Sequence, residues 1–382
     1  MARPLHEVII IGAGIAGASL AYFLARRGLG DGVLILERED QPGYHTTGRS
    51  AAVLAEYSPL ALIRRLVAQS APFLRQPPPG FSESPLLERA GLVVVADAEA
   101  WPALERLTPV MAAEGIHAVP LGFAALAERL PVLSEEHVAG GLSFPGDGHL
   151  DVHALHMGYL GHARRAGAVL RVRAEVTGLL VERGRCVGVQ TEAGAERPMS
   201  LRARGVVIAA GAWVGELGRA AAAAPIPFSP LRRTVITFAA PEELERRVRG
   251  WPLVEHEHRG LYFKPESGGL LASPMDETPS PPCDARPAEE DVALCAERLS
   301  RIAPPLTPRS ISRRWAGLRT FSPDRVPVVG EDPRVPGLFW LAGQGGMGIE
   351  SSPALGAIAA DLLLDGRTER FDARLLSAGR FR

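Results

Sequence analysis

The sequence predicts an α/β protein: a discontinuous nucleotide-binding Rossmann domain joined to an α+β domain built on a mixed or antiparallel sheet. Three observations predict it. Glu7 to Glu37 holds a complete strand, glycine turn, helix and strand. Two further apolar strands with small-residue ends, Gly205 to Ala210 and Leu338 to Ala342, lie far downstream. The segments between them are proline-rich at their margins and carry short strands rich in Val, Phe and Tyr. At 382 residues the chain exceeds what one core usually holds. The expected division is 1–80, 146–224 and 313–382 for the nucleotide domain, with 81–145 and 225–312 forming the second domain.

In the opening unit, Val8 to Ile11 reads as a strand buried on both faces. Gly12, Gly14 and Gly17 give GxGxxG, with Ala13, Ile15 and Ala16 between them. Gly12 permits the tight turn, Gly14 lets backbone approach a pyrophosphate, and Gly17 lets helix and strand pack closely. The helix, from about Ile15 to Arg27, points its positive end at the phosphates. Glu37 ends the second strand 20 residues after Gly17, where a carboxylate accepts hydrogen bonds from a ribose diol, and Arg38 follows it at the same edge. The small, polar stretch Tyr44 to Ala52 contains Thr47, Gly48, Arg49, Ser50 and Ala51, which suits backbone contact with a flat ring and equally an ordinary loop.

Next come a helix from about Pro59 to Leu74, a strand Gly91 to Ala96, helices at about Glu99 to Glu114 and Gly122 to Leu130, and a strand Ala139 to Pro145. Asp151 caps a helix over Val152 to Ala166. Val169 to Ala174 reads as a parallel strand. Glu175 to Glu182, which contains Val176, begins a meander continued by Cys186 to Glu192 and Met199 to Ala203. Gly205 to Ala210 is a buried strand whose small-residue end, Ala210, Gly211 and Trp213, lies at the carboxyl edge where such sheets bind ligands. The second excursion has strands Thr234 to Phe238, Gly260 to Lys264 and Gly269 to Ala272, and a helix Glu289 to Ile302. Near the end, Gly317 and Arg319 stand in WAGLR. Leu338 to Ala342 then runs into a turn containing Gly345, Gly346, Met347, Gly348 and Ile349, ahead of a helix from about Ser352 to Leu364.

Hydrophobic content of 46%, charged content of 22% and net charge −1 describe an ordinary globular chain and give no reason to expect a nucleic-acid partner. No apolar run approaches the ~20 residues of a membrane span, and no leader pattern precedes the first strand. Cys186, Cys283 and Cys295 show no metal spacing, so no metal and a reducing, cytoplasmic location are expected. Lys264 is the only lysine.

A nucleotide domain interrupted by a meander and completed late is the arrangement of glutathione-reductase-like FAD enzymes. Over residues 8 to about 356 the sequence resembles the D-amino-acid oxidase and glycine oxidase superfamily, with most likeness to D-arginine dehydrogenase-type D-amino-acid dehydrogenases. TGRSAA, PLRRT, LYFKP, WAGLR and GQGGMGI carry the resemblance. It implies FAD, held non-covalently, because GYHTTG around His45 replaces the pattern of covalently flavinylated relatives. It also implies a small amino-acid substrate whose α-carboxylate is gripped by Arg319 and Tyr262. Arg232 or Arg233 matches a further basic residue of the pocket, and Arg232 is taken as the candidate.

The implied reaction is oxidative deamination of a D-amino acid by hydride transfer from Cα to flavin, giving an imino acid that water converts to a 2-oxo acid and ammonia. The place of the family's guanidinium-binding glutamate reads Arg89-Ala90-Gly91-Leu92, so a non-basic side chain is expected. Val53 replaces the family's histidine, and Tyr57 is a shifted lid aromatic. The electron acceptor is a quinone, a carrier or oxygen. Lys264 does not match the oxidase lysine, whose place falls near Leu271, so a dehydrogenase is expected. The alternatives are a glycine or sarcosine oxidase type and, against the charge, an FAD-dependent RNA-modifying enzyme.

Overall fold

The computed structural model describes residues 5–193 and 199–381. Strand β1 (His6–Ile11) leads through helix α1 (Ile15–Arg26) into β2 (Val33–Leu36), which pairs with it in parallel. Alternation explains why Val8 to Ile11 and Val33 to Leu36 are apolar throughout. Val8, Ile10, Val33 and Ile35 enter a core with Leu20 and Ile358, while Ile9, Ile11, Leu34 and Leu36 enter another with Val206 and Trp340. Each such side chain, fully buried, contributes about 1.5–3 kcal/mol of transfer free energy.

The chain then passes through β3 (Val53–Leu54), helix α2 (Ala61–Arg75), β4 (Leu87–Glu88) and β5 (Leu92–Ala96). The single helix expected over 99–114 is two, α3 (Trp101–Glu105) and α4 (Thr108–Ala113), because Pro109 sits at the start of the second, where its missing N–H is tolerated. After β6 (Val119–Gly122) and α5 (Phe123–Arg129) come β7 (Gly140–Phe144) and β8 (Gly148–Leu150). Helix α6 (Val152–Arg165) starts at Asp151, whose carboxylate accepts from the Ala154 N–H at 2.8 Å.

β9 (Val169–Arg171) joins β2 in parallel, and β10 (Ala174–Glu182) and β11 (Arg185–Ala193) form the meander. The meander's last strand and the following buried strand are one element, β12 (Met199–Ile208). Its first residues pair with β11 and its later ones lie between β1 and β20 (Leu338–Ala342).

Helix α7 (Val214–Ala220) precedes a second sheet, which is mixed. It contains β13 (Ser229–Phe238), then β14 (Leu253–His256) after the short helix α8 (Glu245–Val248), β15 (Leu261–Glu266), β16 (Gly269–Ser273) and β17 (Thr278–Pro279). These pair with one another and with β5, β6 and β7 in the order β17-β13-β16-β15-β14-β5-β7-β6. β14 against β5 is its parallel pair. One face packs on helix α9 (Glu289–Ile302) through Val292, Cys295 and Leu299, and the other faces the nucleotide-binding half with Val94, Val235 and Tyr262.

The ninth strand is β18 (Arg313–Phe321), which pairs with β13 along nine residues. Its expected place in the nucleotide domain is therefore corrected: its residues alternate on the second sheet, which is what carries Arg319 to that sheet's inner face. β19 (Val328–Glu331), antiparallel to β20, and helix α10 (Ser352–Asp365) close the first sheet. Among the described residues no helix is long and apolar enough to cross a membrane.

Candidate functional site

A cavity of about 510 Å³ runs from the carboxyl edge of the first sheet to the inner face of the second. At its near end are Glu37, Arg38, Val176, Ala210, Gly211 and Trp213. Glu37 accepts from the Ala13 N–H at 2.8 Å and the Glu39 N–H at 3.1 Å, so the carboxylate is fixed at the strand end with capacity left for a diol. The Arg38 guanidinium lies 4.0 Å over the Trp213 ring, and Glu39 bridges Arg38 and His45.

The middle of the cavity follows the glycine turn. A Cβ on Gly12, whose φ is 103°, would lie 2.5 Å from the Ala209 carbonyl oxygen, so this turn admits no side chain. Gly14, Ile15 and Ala16 line the cavity at the start of α1, which has no acidic residue in its first turn to occupy its positive end. Gly17 does not line it. A Cβ there would lie 2.0 Å from the Gly12 oxygen, so its role is helix–strand contact. Thr47 Oγ1 accepts from the Ile15 N–H at 3.0 Å, and Arg49, Ser50 and Ala51 line the wall. Ala13, Gly48 and Met347 support the turns without lining the cavity.

This donor set fits FAD: a diol acceptor, a bare helix N-terminus and a flat, small-residue wall in one continuous cleft. Gly345, Gly346, Gly348 and Ile349, leading into α10, add a second helix start at the far end.

Side chains converge at that far end because β13, β15 and β18 each present alternate residues to it. Arg319 packs over Gly346, where an added Cβ would meet Nη1 at 2.7 Å. Gly317 faces Arg233 across the β13–β18 pair and leaves room for Arg49. Arg233 is 5% exposed; its Nε donates to the Asp276 carbonyl at 3.0 Å and its Nη2 to Glu277 at 3.3 Å. Burial, and then the positive charge of Arg319, push its pKa down to about 10.

The arginine in the cavity is thus Arg233 and not Arg232. Adjacent strand residues face opposite ways, and Arg232 turns to α9, where it pairs with Asp291 at 2.8 Å.

Among the described residues, four buried polar atoms on the cavity wall have no hydrogen-bond partner: Arg233 Nη1, Tyr262 OH, Thr320 Oγ1 and Gln344 Nε2. An unsatisfied buried group costs about 1–3 kcal/mol, so four on one cavity mark a ligand site, and all four can donate. Thr320 and Gln344 were not among the expected residues, although Gln344 lies inside GQGGMGI and Thr320 directly follows WAGLR.

Glu350 also lines this end, and Glu255 stands opposite Tyr262 on the same sheet face. Burial, and then Glu257, raise the Glu255 carboxyl to about 7. Burial raises Glu350 to about 8, opposed by its own N–H and by Arg319. Neither was expected. Glu350 follows the glycine turn directly. Glu255 sits on β14, a four-residue strand too short for its alternation to be read from sequence.

Tyr57 is buried and donates to Glu257 at 2.6 Å. Lys264 shares the face of Tyr262 but pairs with Glu266 at 2.8 Å. Beside it His149 is pushed down to about 4 by burial and by that lysine.

Comparison with known proteins agrees with this architecture. The family model described as FAD dependent oxidoreductase matches residues 7–362. Human mitochondrial dimethylglycine dehydrogenase is 28% identical over 98% of this chain, which spans 44% of that protein's length. Glycine oxidase of Geobacillus kaustophilus is 28% identical over 94% of this chain and 93% of its own. The crystal structure of L-proline dehydrogenase from P. horikoshii superposes with a TM-score of 0.87 over 99% of this chain and 98% of that one, at 24% identity, a likeness of fold.

Proposed function

This chain belongs to the FAD dependent oxidoreductase family, with FAD as its cofactor, and we propose that it oxidises the C–N bond of a small amino acid held by its carboxylate. The observation that carries the proposal is the group of four unpartnered buried donors beside Arg319. A carboxylate satisfies the two on Arg233 and Tyr262 together with Arg319, because it offers two acceptor oxygens with about four lone-pair sites. Arg319 and Arg233 supply the charge-assisted bonds and Tyr262 a hydroxyl.

The substrate class we propose is a D-amino acid with a non-basic side chain, deaminated through an imino acid to a 2-oxo acid and ammonia. Two features support the side-chain preference. Ala51, Val53 and Val235 are apolar neighbours of the clamp, and Glu88 is exposed, away from the cavity. FAD, when bound, supplies the two-electron oxidation by accepting hydride from the substrate carbon. The protein's part is to fix the carboxylate, and through it the Cα–H bond, in one orientation in a closed space. Turnover with a quinone or carrier as acceptor is proposed, because the single lysine is committed to Glu266.

A second reading, oxidation of glycine or an N-methylated glycine, is favoured by the names of the two sequence relatives. It uses the same clamp. The test is anaerobic mixing of the FAD-loaded protein with D- and L-amino acids, glycine, sarcosine and dimethylglycine, followed by loss of flavin absorbance. Apolar D-amino acids are expected to bleach it most efficiently. Bleaching confined to the N-methylated glycines selects the second reading, and no bleaching by any carboxylate-bearing amine rejects both. Rapid peroxide formation in air would overturn the choice of acceptor.

A further inference from the structure

Next to the carboxylate clamp the same sheet face carries an acid that the clamp does not use. Glu255 stands directly opposite Tyr262 in the antiparallel pairing of β14 with β15. Paired residues leave a sheet on the same face about 5 Å apart. The nitrogen of an amino acid is two bonds from its carboxylate carbon, so a neighbour of the tyrosine that takes the carboxylate is a neighbour of the nitrogen.

Glu350 lines this end of the cavity, Glu255 stands across from its lining residue Tyr262, and Glu257 lies against Tyr57. Glu257 accepts the Tyr57 hydroxyl at 2.6 Å. Glu255 makes no side-chain hydrogen bond or ion pair among the described residues.

Resting on the proposal that the site oxidises amino acids, we propose that Glu255 is the proton acceptor that converts the bound substrate's ammonium group to the neutral amine. One N–H bond of the ammonium breaks, the O–H bond of the Glu255 carboxyl forms, and the nitrogen keeps the electron pair. That pair becomes the second C–N bond when the carbon's hydrogen leaves with its electrons to the family's oxidant. The carboxyl returns its proton to water after the product departs.

The surroundings suit the task. Glu255 is faced by Glu257 from the turn after its own strand, Arg233 from β13, Arg319 from β18, Tyr262 from β15, Tyr57 from the loop after β3, and Glu350 from the turn before α10. Burial and Glu257 bring its pKa to about 7, while Arg233 and Arg319 oppose them. The group is therefore ionised, and able to take a proton, above about pH 7, and blocked below it. The same two guanidiniums weaken the hold of a nearby ammonium on its proton.

The experiment is the pH dependence of kcat/KM, from about pH 6 to 10, for FAD-loaded wild type, Glu255→Gln and Glu350→Gln, with an amino acid the wild type oxidises. At neutral pH Glu255→Gln is expected to fall by about 10²-fold or more. It should recover as pH rises to where the amino acid sheds its ammonium proton in solution. Glu350→Gln should keep the wild-type acid limb. A second measurement needs no variant: across amino acids of different amine pKa, the wild-type acid limb should stay at one pH. An acid limb that tracks the substrate's amine overturns the proposal. So does a loss in Glu255→Gln that is equal at every pH, or a limb that moves in Glu350→Gln instead. A wild type that oxidises no amino acid refutes the proposed function itself, a separate outcome.

Discussion

The two sheets bind by different means. In the first, the cavity lining is largely backbone: Gly12, Gly14 and the starts of α1 and α10 offer N–H groups and empty space, with Glu37 held at the strand end. In the second, the cavity lining is side chains from three strands, Arg233, Tyr262 and Arg319, that meet because their registers align. Gly12 and Gly17 tolerate no added atom, whereas side-chain sites tolerate loss of one donor at a graded cost. Substitutions should therefore be all-or-none in the first region and graded in the second.

The largest effect is expected at Gly17. A valine there must place Cβ near 2.0 Å from the Gly12 carbonyl oxygen, and backbone cannot yield as a flexible side chain does. Gly17→Val should purify without flavin and with a Tm lowered by several degrees, read from the absorbance spectrum and a melting curve. Retention of stoichiometric FAD would break the contrast between the regions.

Arg319→Gln comes next. It leaves the first region intact, so FAD should remain bound. It removes a charge-assisted grip worth about 1.5–3 kcal/mol, so kcat/KM should fall about 10- to 150-fold. Arg233→Gln should behave similarly, and Tyr262→Phe should lose less, about 5- to 10-fold, as one neutral hydrogen bond. If Arg319→Gln lost its flavin instead, the second sheet would be holding the cofactor too.

The same contrast explains what was legible in the sequence. A glycine turn with its strand, helix and terminal acid is local, so Gly12 to Glu37 reads directly and its boundaries hold to within a residue or two. β18 was assigned to the wrong sheet because its partner, β13, lies about 80 residues away, and pairing leaves no local trace. Glu255 was missed for the same reason: its meaning comes from standing across from Tyr262. Motif resemblance pointed to Tyr262 and Arg319, which both line the cavity, but not to which of two adjacent arginines turns inward. That choice is one of strand parity, fixed only once Arg233 is paired with Gly317.

Parity supplies the smallest and sharpest test. Arg232 and Arg233 are neighbours of identical chemistry on one strand, so substituting each in turn changes only which face loses a guanidinium. Arg232→Gln removes a partly exposed ion pair with Asp291 on the α9 side, where the two side chains are 22% and 12% accessible. Such a pair contributes about 1 kcal/mol or less. The expected outcome is a Tm lower by about 2 °C, with kcat/KM and flavin content within about twofold of wild type. Arg233→Gln should invert that pattern, losing activity with FAD retained. Equal losses of activity in both variants would mean that the β13 register differs from the one described, and with it the assignment of Arg233 to the carboxylate.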